Sequence, residues 1–538
     1  MTESVLDNLP APKDDDNDAR PSQTSLLVEF VKQRADLLHD ENKEVYAVDR
    51  ETREVRRIDS RAFRDYLAAN FYQTENIAPR DQSVREALGT LAGIGRYHGE
   101  RAAVHLRVAG GNGVYHLDLA EPGLSCAIRI EPGKWSMEDR PAVLFQRTEA
   151  MQPLPVPVRG GSIEPMWRIA NVPPSCRLLV IAWLIECLRP DTPFPLLELI
   201  GEQGSAKSTT QAAFRRLIDP NSCDLRGTPK CAEDIFVGAG VNWLASYENV
   251  SHLPAPMQDA LCVLATGGGF AKRKLYSDAD EAVISVKRPV VLNGISASVT
   301  AQDLIDRTVS VETPVIEQRQ EVTDLWREYE SDRPRILGAL LDIAAEALRV
   351  LPKIHLAPTE RPRLAEFARL GMAVAVAMGE PPNAFMTQFN ASRQESIGRT
   401  IDASPVASAV LDWFEKNPTG KTASVKNLFA EVEQFKPAGT DAWPRSAKGF
   451  ADALRRAAPA LRQMGIECRC EGKVGSTVRW KISPKRNSAD QSRGSRASRD
   501  VAQILGNADD FTTLTTSEPV MYSDHAPAWA ARAGLEDF

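Results

Sequence analysis

The chain has little of what marks a membrane-spanning, secreted or zinc-stapled protein. Its longest apolar run, Leu178 to Leu188, contains Glu186 and falls short of the roughly 20 residues a bilayer span needs, so it reads as a buried helix. The eight cysteines, at 126, 176, 187, 223, 231, 262, 468 and 470, form no CxxC pair. That argues against structural zinc and fits free thiols in a reducing cytosol. Cys468 and Cys470 read as two thiols on one strand. The opening residues are polar and acidic, with Asp14-Asp15-Asp16, unlike a signal peptide, and a cytoplasmic protein is expected. Positive charge is not in excess either. The 65 Lys and Arg stand against 72 Asp and Glu, a formal net charge of −7, so nucleic-acid binding would have to come from local patches.

What is present is the composition of a globular protein, 43% hydrophobic and 25% charged over 538 residues, enough for about three domains. Residues 1–24, rich in Asp, Pro, Asn and Ser, are expected to be disordered. Residues 25–155 read as an N-terminal α/β domain. Leu26, Leu27, Phe30 and Val31 are spaced for a helix, and Ala103–Val108 and Val114–Leu119 alternate like strands around a Gly110-Gly111-Asn112-Gly113 turn. His105 and His116 are expected to face each other across that hairpin, and the domain is assigned no chemistry. Pro153–Pro157 and Gly160-Gly161 read as a linker. A core follows at 165–315, then a helical region at 317–400 and a small domain at 402–482. The segment 483–538 reads as a largely disordered tail with a short helix near Ala528–Ala533.

The chemistry concentrates in Pro195 to Thr209. A strand-like run breaks at Gly201, a tight loop follows, and Lys207-Ser208-Thr209 leads into a helical segment at Gln211–Ile218. Nucleoside triphosphates are held by this order of parts. Gly201 and Gly204 let backbone N–H groups turn onto phosphate oxygens, the helix N-terminus adds partial positive charge, Lys207 reaches the β/γ-phosphates and Ser208 ligates Mg²⁺. Gly201, Gly204, Ser205, Ala206, Lys207, Ser208 and Thr209 are therefore the expected ATP-binding residues of a P-loop. Ala206 replaces the usual glycine, which is tolerable if the backbone there is helical.

A second apolar run, Val241–Tyr247, ends in Glu248-Asn249, the place of a Walker B acid. Glu248 is expected to hold Mg²⁺ with Ser208, while Asn249 stands where a catalytic carboxylate often does, and an amide is no base. Hairpin grammar follows: Thr266-Gly267-Gly268, then Lys272-Arg273-Lys274-Leu275-Tyr276, a turn at Ser277–Asp280 and a return at Ala282–Val286. A third strand ends at Asn293, expected between Glu248 and the γ-phosphate as a water-positioning amide. Arg307, closing a short helix, is a candidate arginine finger toward a neighbouring subunit.

In this order the segment 195–315 resembles the superfamily 3 helicases, AAA+-like ATPases of phage, plasmid and poxvirus replication. The resemblance implies a hexameric ring in which Lys272, Arg273 and Lys274 grip single-stranded DNA. It also implies Lys207, Glu248, Asn293 and Arg307 as catalytic groups, with Ala206 and Asn249 as departures from the family pattern. Downstream, a basic helix over Ala447–Met464, with Pro459 a potential kink, precedes two strand-like arms, and together they resemble a winged-helix domain. The expected fold is thus a P-loop, AAA+-like α/β core with an N-terminal α/β domain, a helical region and a winged-helix-like C-terminal domain. The expected function is an ATP-dependent DNA helicase or replication ATPase of a mobile element. Its rival is a nucleotide-dependent DNA-binding switch, a loader, initiator or regulator, that does not unwind.

Overall fold

The computed structural model describes residues 21–273, 281–318, 320–358, 361–402, 404–437, 443–474 and 477–485. The expected disorder at 1–20 and past 485, the Ala528–Ala533 helix, and the hairpin tip at 274–280 lie outside the described residues.

Helix α1 (Gln23–Arg34) starts inside the stretch expected to be disordered, because the Ser22 hydroxyl accepts the Ser25 N–H at 3.1 Å and caps it. Strands β1 (Ala35–His39), β2 (Val45–Asp49) and β3 (Val55–Arg57) follow, then α2 (Arg61–Glu75), α3 (Asp81–His98) and β4 (Glu100–Arg101). The sheet order is β3-β2-β1-β4. The three helices share with this sheet a separate core that includes Leu27, Phe30, Phe63, Phe71 and Leu91.

A second sheet is an antiparallel meander of β5 (Val108–Gly111), β6 (Val114–Asp118), β7 (Cys126–Glu131) and β8 (Lys134–Asp139). Its first turn is Asn112-Gly113, both at positive φ, as a two-residue hairpin with right-handed strand twist requires. The first arm is shorter than the alternation suggested. Val104–His105 leaves it to pair in parallel with Leu144–Phe145, so His116 lies opposite Ala109 and not His105.

The centre of the molecule is a parallel sheet. In chain order come α4 (Pro174–Glu186), β9 (Leu196–Ile200), α5 (Lys207–Ile218), α6 (Ala232–Val241), β10 (Ala245–Tyr247) and α7 (Ala255–Thr266). The antiparallel hairpin β11 (Gly268–Arg273) and β12 (Glu281–Val286) is next, followed by β13 (Val290–Gly294) and β14 (Thr308–Glu312). The order β10-β13-β9-β14 is parallel throughout. Leu197, Leu199 and Val291 face one apolar core, and Leu196, Val290 and Leu292 face the other. Burial on both faces is why these strands read as continuous apolar runs.

Helices α8 (Val322–Val350), α9 (Ala365–Ala377) and α10 (Pro382–Asp402) cover one face. The core beneath them also takes in Val108, Leu117, Ile130 and Trp135 of the meander, so buried packing runs straight across the boundary expected near 155. The proline- and glycine-rich segment there is a strap, not a slack linker. Val158 N–H donates to the Pro334 carbonyl at 2.9 Å, and the Arg159 guanidinium lies 3.9 Å from the Trp135 ring centre. Trp135 Nε1 in turn donates to Asp342 at 2.7 Å.

The last module runs α11 (Pro405–Lys416), β15 (Lys421–Ser424), α12 (Val425–Val432), α13 (Ala447–Gln463), β16 (Ile466–Val474) and β17 (Thr477–Pro484). Its antiparallel sheet has the order β15-β17-β16 and closes over Trp413, Leu428, Phe450, Leu454, Trp480 and Ile482. Pro459 neither splits nor ends α13. On β16, Cys468 is buried and Cys470 exposed. Among the described residues no helix is long and apolar enough to cross a membrane.

Candidate nucleotide site at the strand ends

The loop from Gly201 to Ala206 connects the end of β9 to the start of α5. Gly201 is needed for close approach, since a Cβ there would meet Thr313 Oγ1 at 2.5 Å and Ser205 Oγ at 2.8 Å. Gly204 supplies a positive φ of 90°. Ala206 does not meet the condition of a helical backbone. Its backbone is left-handed, φ 54° and ψ 28°, not right-handed helical, because the chain must reverse before α5 begins. An L-residue there costs about 1–2 kcal/mol. Ala206→Gly should therefore raise unfolding stability by about 0.5–1 kcal/mol after the unfolded-state entropy of glycine is counted, read from urea denaturation midpoints. A midpoint that falls would show that the alanine methyl packs usefully.

Helix α5 begins at Lys207, so Lys207-Ser208-Thr209 open it ahead of the segment Gln211–Ile218. Its first turn carries no acidic residue and no side-chain cap, so its positive end is unneutralised. Lys207 is folded back onto the loop. Its ammonium donates to the Gly201 and Glu202 carbonyls, each at 2.8 Å, and to Ser205 Oγ at 3.2 Å, and burial lowers its pKa. Ser208 and Thr209 are partly exposed. Ser205 is buried and shares a 2.8 Å hydrogen bond with Thr313 Oγ1.

The same strand ends bring in the downstream candidates. Because β13 lies between β10 and β9, Asn293 sits centrally and 1% exposed. Its Nδ2 donates to Gln211 Oε1 at 2.7 Å and lies 3.5 Å from Ser208 Oγ, and its Oδ1 accepts the Asn249 N–H at 3.0 Å. Asn249 is itself left-handed, φ 53°. Glu248 follows β10, half-buried, and its carboxylate has no hydrogen-bond or ion-pair partner among the described residues. Lys207, Ser208, Asn293 and the Glu248-Asn249 pair are thus gathered around the start of α5.

Two candidates stand apart. Arg307 lies at the opposite end of the sheet, where its carbonyl accepts the Leu196 N–H at 2.9 Å, about five strand residues from the loop. Its guanidinium pairs with Asp303, which Arg363 also contacts at 2.7 Å. Within one chain it does not reach the loop. Lys272 and Arg273 lie on β11, in register with Ala282 and Glu281, and Lys274 is outside the described residues.

Other residues at this site carried no recognisable sequence signal. Asn171 Nδ2 bridges the Ser205 and Pro314 carbonyls at 3.0 and 2.6 Å. Glu198, inside β9, accepts hydrogen bonds from Ser298 N, Val299 N and the Ser298 and Ser310 hydroxyls, fixing the loop past β13. Burial raises its pKa and these donors oppose the rise. Gln211 reads in sequence as one polar residue on a helix.

A parallel α/β sheet with polar groups collected at its strand ends is the mixed α/β architecture expected of the core. The chain itself is similar to replication proteins of mobile elements. Residues 163–392 match the family described as actinomycete integrative conjugative element replication protein, and residues 406–497 match the AICE RepA C-terminal domain. No curated protein matches the chain. Among solved structures, the A form apo structure of the NrS-1 C terminal region aligns at 11% identity and TM-score 0.38, covering 85% of this chain and 98% of that chain. JCV helicase bound to a small molecule aligns at 16% identity and TM-score 0.23, covering 41% of this chain and 66% of that chain.

Proposed function

We propose that this protein is an ATP-dependent replication motor of a mobile element, a DNA helicase with a P-loop, AAA+-like core at 165–315. The observation that carries this reading is the convergence, on the start of α5, of the Gly201–Ala206 loop, Lys207, Ser208, Glu248 and Asn293. Triphosphate oxygens would lie against the loop N–H groups and the unneutralised end of α5, with Lys207 turning from the loop carbonyls to the phosphates. Mg²⁺ fits the residues present: Ser208 offers a partly exposed hydroxyl and Glu248 a half-buried carboxylate without a partner among the described residues. When bound, the ion would neutralise charge on the transferred phosphoryl group. Water attack on the γ-phosphorus would break its bond to the bridging oxygen and leave ADP and phosphate.

Arg307, distant from its own loop, would act on a neighbour's nucleotide in a homo-oligomeric ring, a hexamer by family resemblance. The β11–β12 hairpin, with Lys272, Arg273 and Lys274, would hold the backbone of single-stranded DNA. We read the C-terminal module as winged-helix-like, from its helix-strand-helix-helix-strand-strand order and basic second half, and the N-terminal segment as an accessory α/β domain. The second reading, a DNA-binding switch with negligible turnover, is favoured by the strained Ala206 and by Asn249 in place of a second acid.

Phosphate release measured with and without single-stranded DNA separates the two. The motor reading expects DNA-stimulated turnover and, in Lys272→Ala/Lys274→Ala, loss of about tenfold or more of that stimulation with basal turnover kept. ATP-dependent assembly on DNA with no turnover in any condition would leave the switch.

A further inference from the structure

Gln211 is fully buried at a core-facing position of α5, where a leucine or methionine would bury as much apolar surface without needing polar partners. Every polar atom of its amide is used. Nε2 donates to Ser246 Oγ at 2.8 Å and to the Tyr247 carbonyl at 3.1 Å, and Oε1 accepts from Asn293 Nδ2 at 2.7 Å. The Ser246 hydroxyl is committed as well, since it donates to the Asp224 carbonyl at 2.9 Å and so must accept from Gln211.

We propose that Gln211 is a positioning residue that sets which end of the Asn293 amide faces the nucleotide, an inference that rests on the nucleotide-site reading above. An amide can usually flip its oxygen and nitrogen with little change in shape. Here the direction of the chain is dictated at both ends by backbone groups that cannot reverse. The Tyr247 carbonyl only accepts, so Gln211 must turn its nitrogen to it and its oxygen to Asn293. The Asn249 N–H only donates, so Asn293 must turn its oxygen there. One Asn293 N–H then remains, and it is aimed at Ser208 Oγ across 3.5 Å, the longest contact of the relay. A donor, not an acceptor, is thereby directed to the place where phosphate oxygens would gather. When Ser208 turns its lone pairs to a cation, that N–H is free to bond the γ-phosphate or its attacking water.

The test is nucleotide affinity in the presence of Mg²⁺, read with ADP and with the non-hydrolysable analogue AMP-PNP on the full chain. The variants are Gln211→Met, Asn293→Ala and the double substitution. Gln211→Met should weaken AMP-PNP about five- to tenfold and leave ADP within about twofold, the size of one well-placed hydrogen bond. On the Asn293→Ala background the same change should add less than about twofold, because Gln211 acts through Asn293. Should Gln211→Met not fold, Ser246→Ala removes one of the two acceptors that anchor Gln211, together with the donor to the Asp224 carbonyl, and should shift AMP-PNP about two- to threefold in the same direction while leaving ADP unchanged. Equal effects on both nucleotides, no effect on either, or full additivity with Asn293→Ala would overturn the proposal. A wild-type chain that binds neither nucleotide would instead overturn the nucleotide-site reading beneath it.

Discussion

Lys207→Ala is expected to reduce ATP turnover by about a hundredfold or more, with a matching loss of DNA-stimulated activity. Lys207 is the one cation at the head of α5, and its ammonium sits within 2.8 Å of two loop carbonyls. That posture keeps the charge beside the loop, from which, on the P-loop reading, it would turn to the phosphates. Removing it also leaves the Gly201 and Glu202 carbonyls without that donor, which loosens the loop. Two measurements separate these effects: phosphate release for chemistry, and thermal unfolding without nucleotide for loop stability. A variant that keeps wild-type turnover would exclude Lys207 from the reaction and with it the P-loop reading.

The largest stability effect is expected well away from that loop, at Asp219. This carboxylate is 1% exposed and follows α5 directly. Its Oδ1 accepts from Arg107 Nε at 3.1 Å, and its Oδ2 accepts the Trp243 and Leu244 N–H groups at 3.1 and 3.0 Å and lies 3.4 Å from Arg215. Both arginines are fully buried. Asp219→Ala would strip their shared counter-charge and orphan two backbone donors, and breaking such a buried network costs about 3–5 kcal/mol. Against a typical total of about 5–15 kcal/mol, the variant should unfold at much lower urea and accumulate poorly at 37 °C. Asp219→Asn, which keeps an acceptor but not the charge, should fall between the two. A loss below about 1 kcal/mol for the alanine variant would mean that the arginines find other compensation.

These two residues also differ in how they could have been found. The Gly201–Ala206 loop and the lysine after it were legible because a strand-loop-helix turn is a local device: strand, glycines, lysine and helix follow one another within fifteen residues. The Asn112-Gly113 turn was legible for the same reason, as was the buried helix α4, whose residues 178–186 are all buried. Asp219 was not legible. Its main partner, Arg107, lies 112 positions away, and nothing near either residue marks the pair. The strap at 153–161 was misread because proline and glycine are common to slack linkers and to chain that must pass flush against a helix, and only α8 beneath it decides between them. The left-handed backbone of Ala206 was not legible, because residue type does not reveal the sign of φ.

The sequence by itself determined the locally encoded parts: the glycine loop and its lysine, the continuous apolar runs that become doubly buried parallel strands, the pairing of β11 with β12, and the helical character of α8, α9 and α10. Propensity, turn chemistry and apolar periodicity act over a few residues, so these survive in the linear order. The tertiary structure alone decided the order β10-β13-β9-β14, which puts Asn293 between Glu248 and the loop and sends Arg307 to the far end of the sheet. It alone joined Gln211, Asn293 and Asn249 into one relay, and drew the meander into the core beneath α8. Each of these depends on which distant surfaces are buried together, and burial is a property of the folded whole.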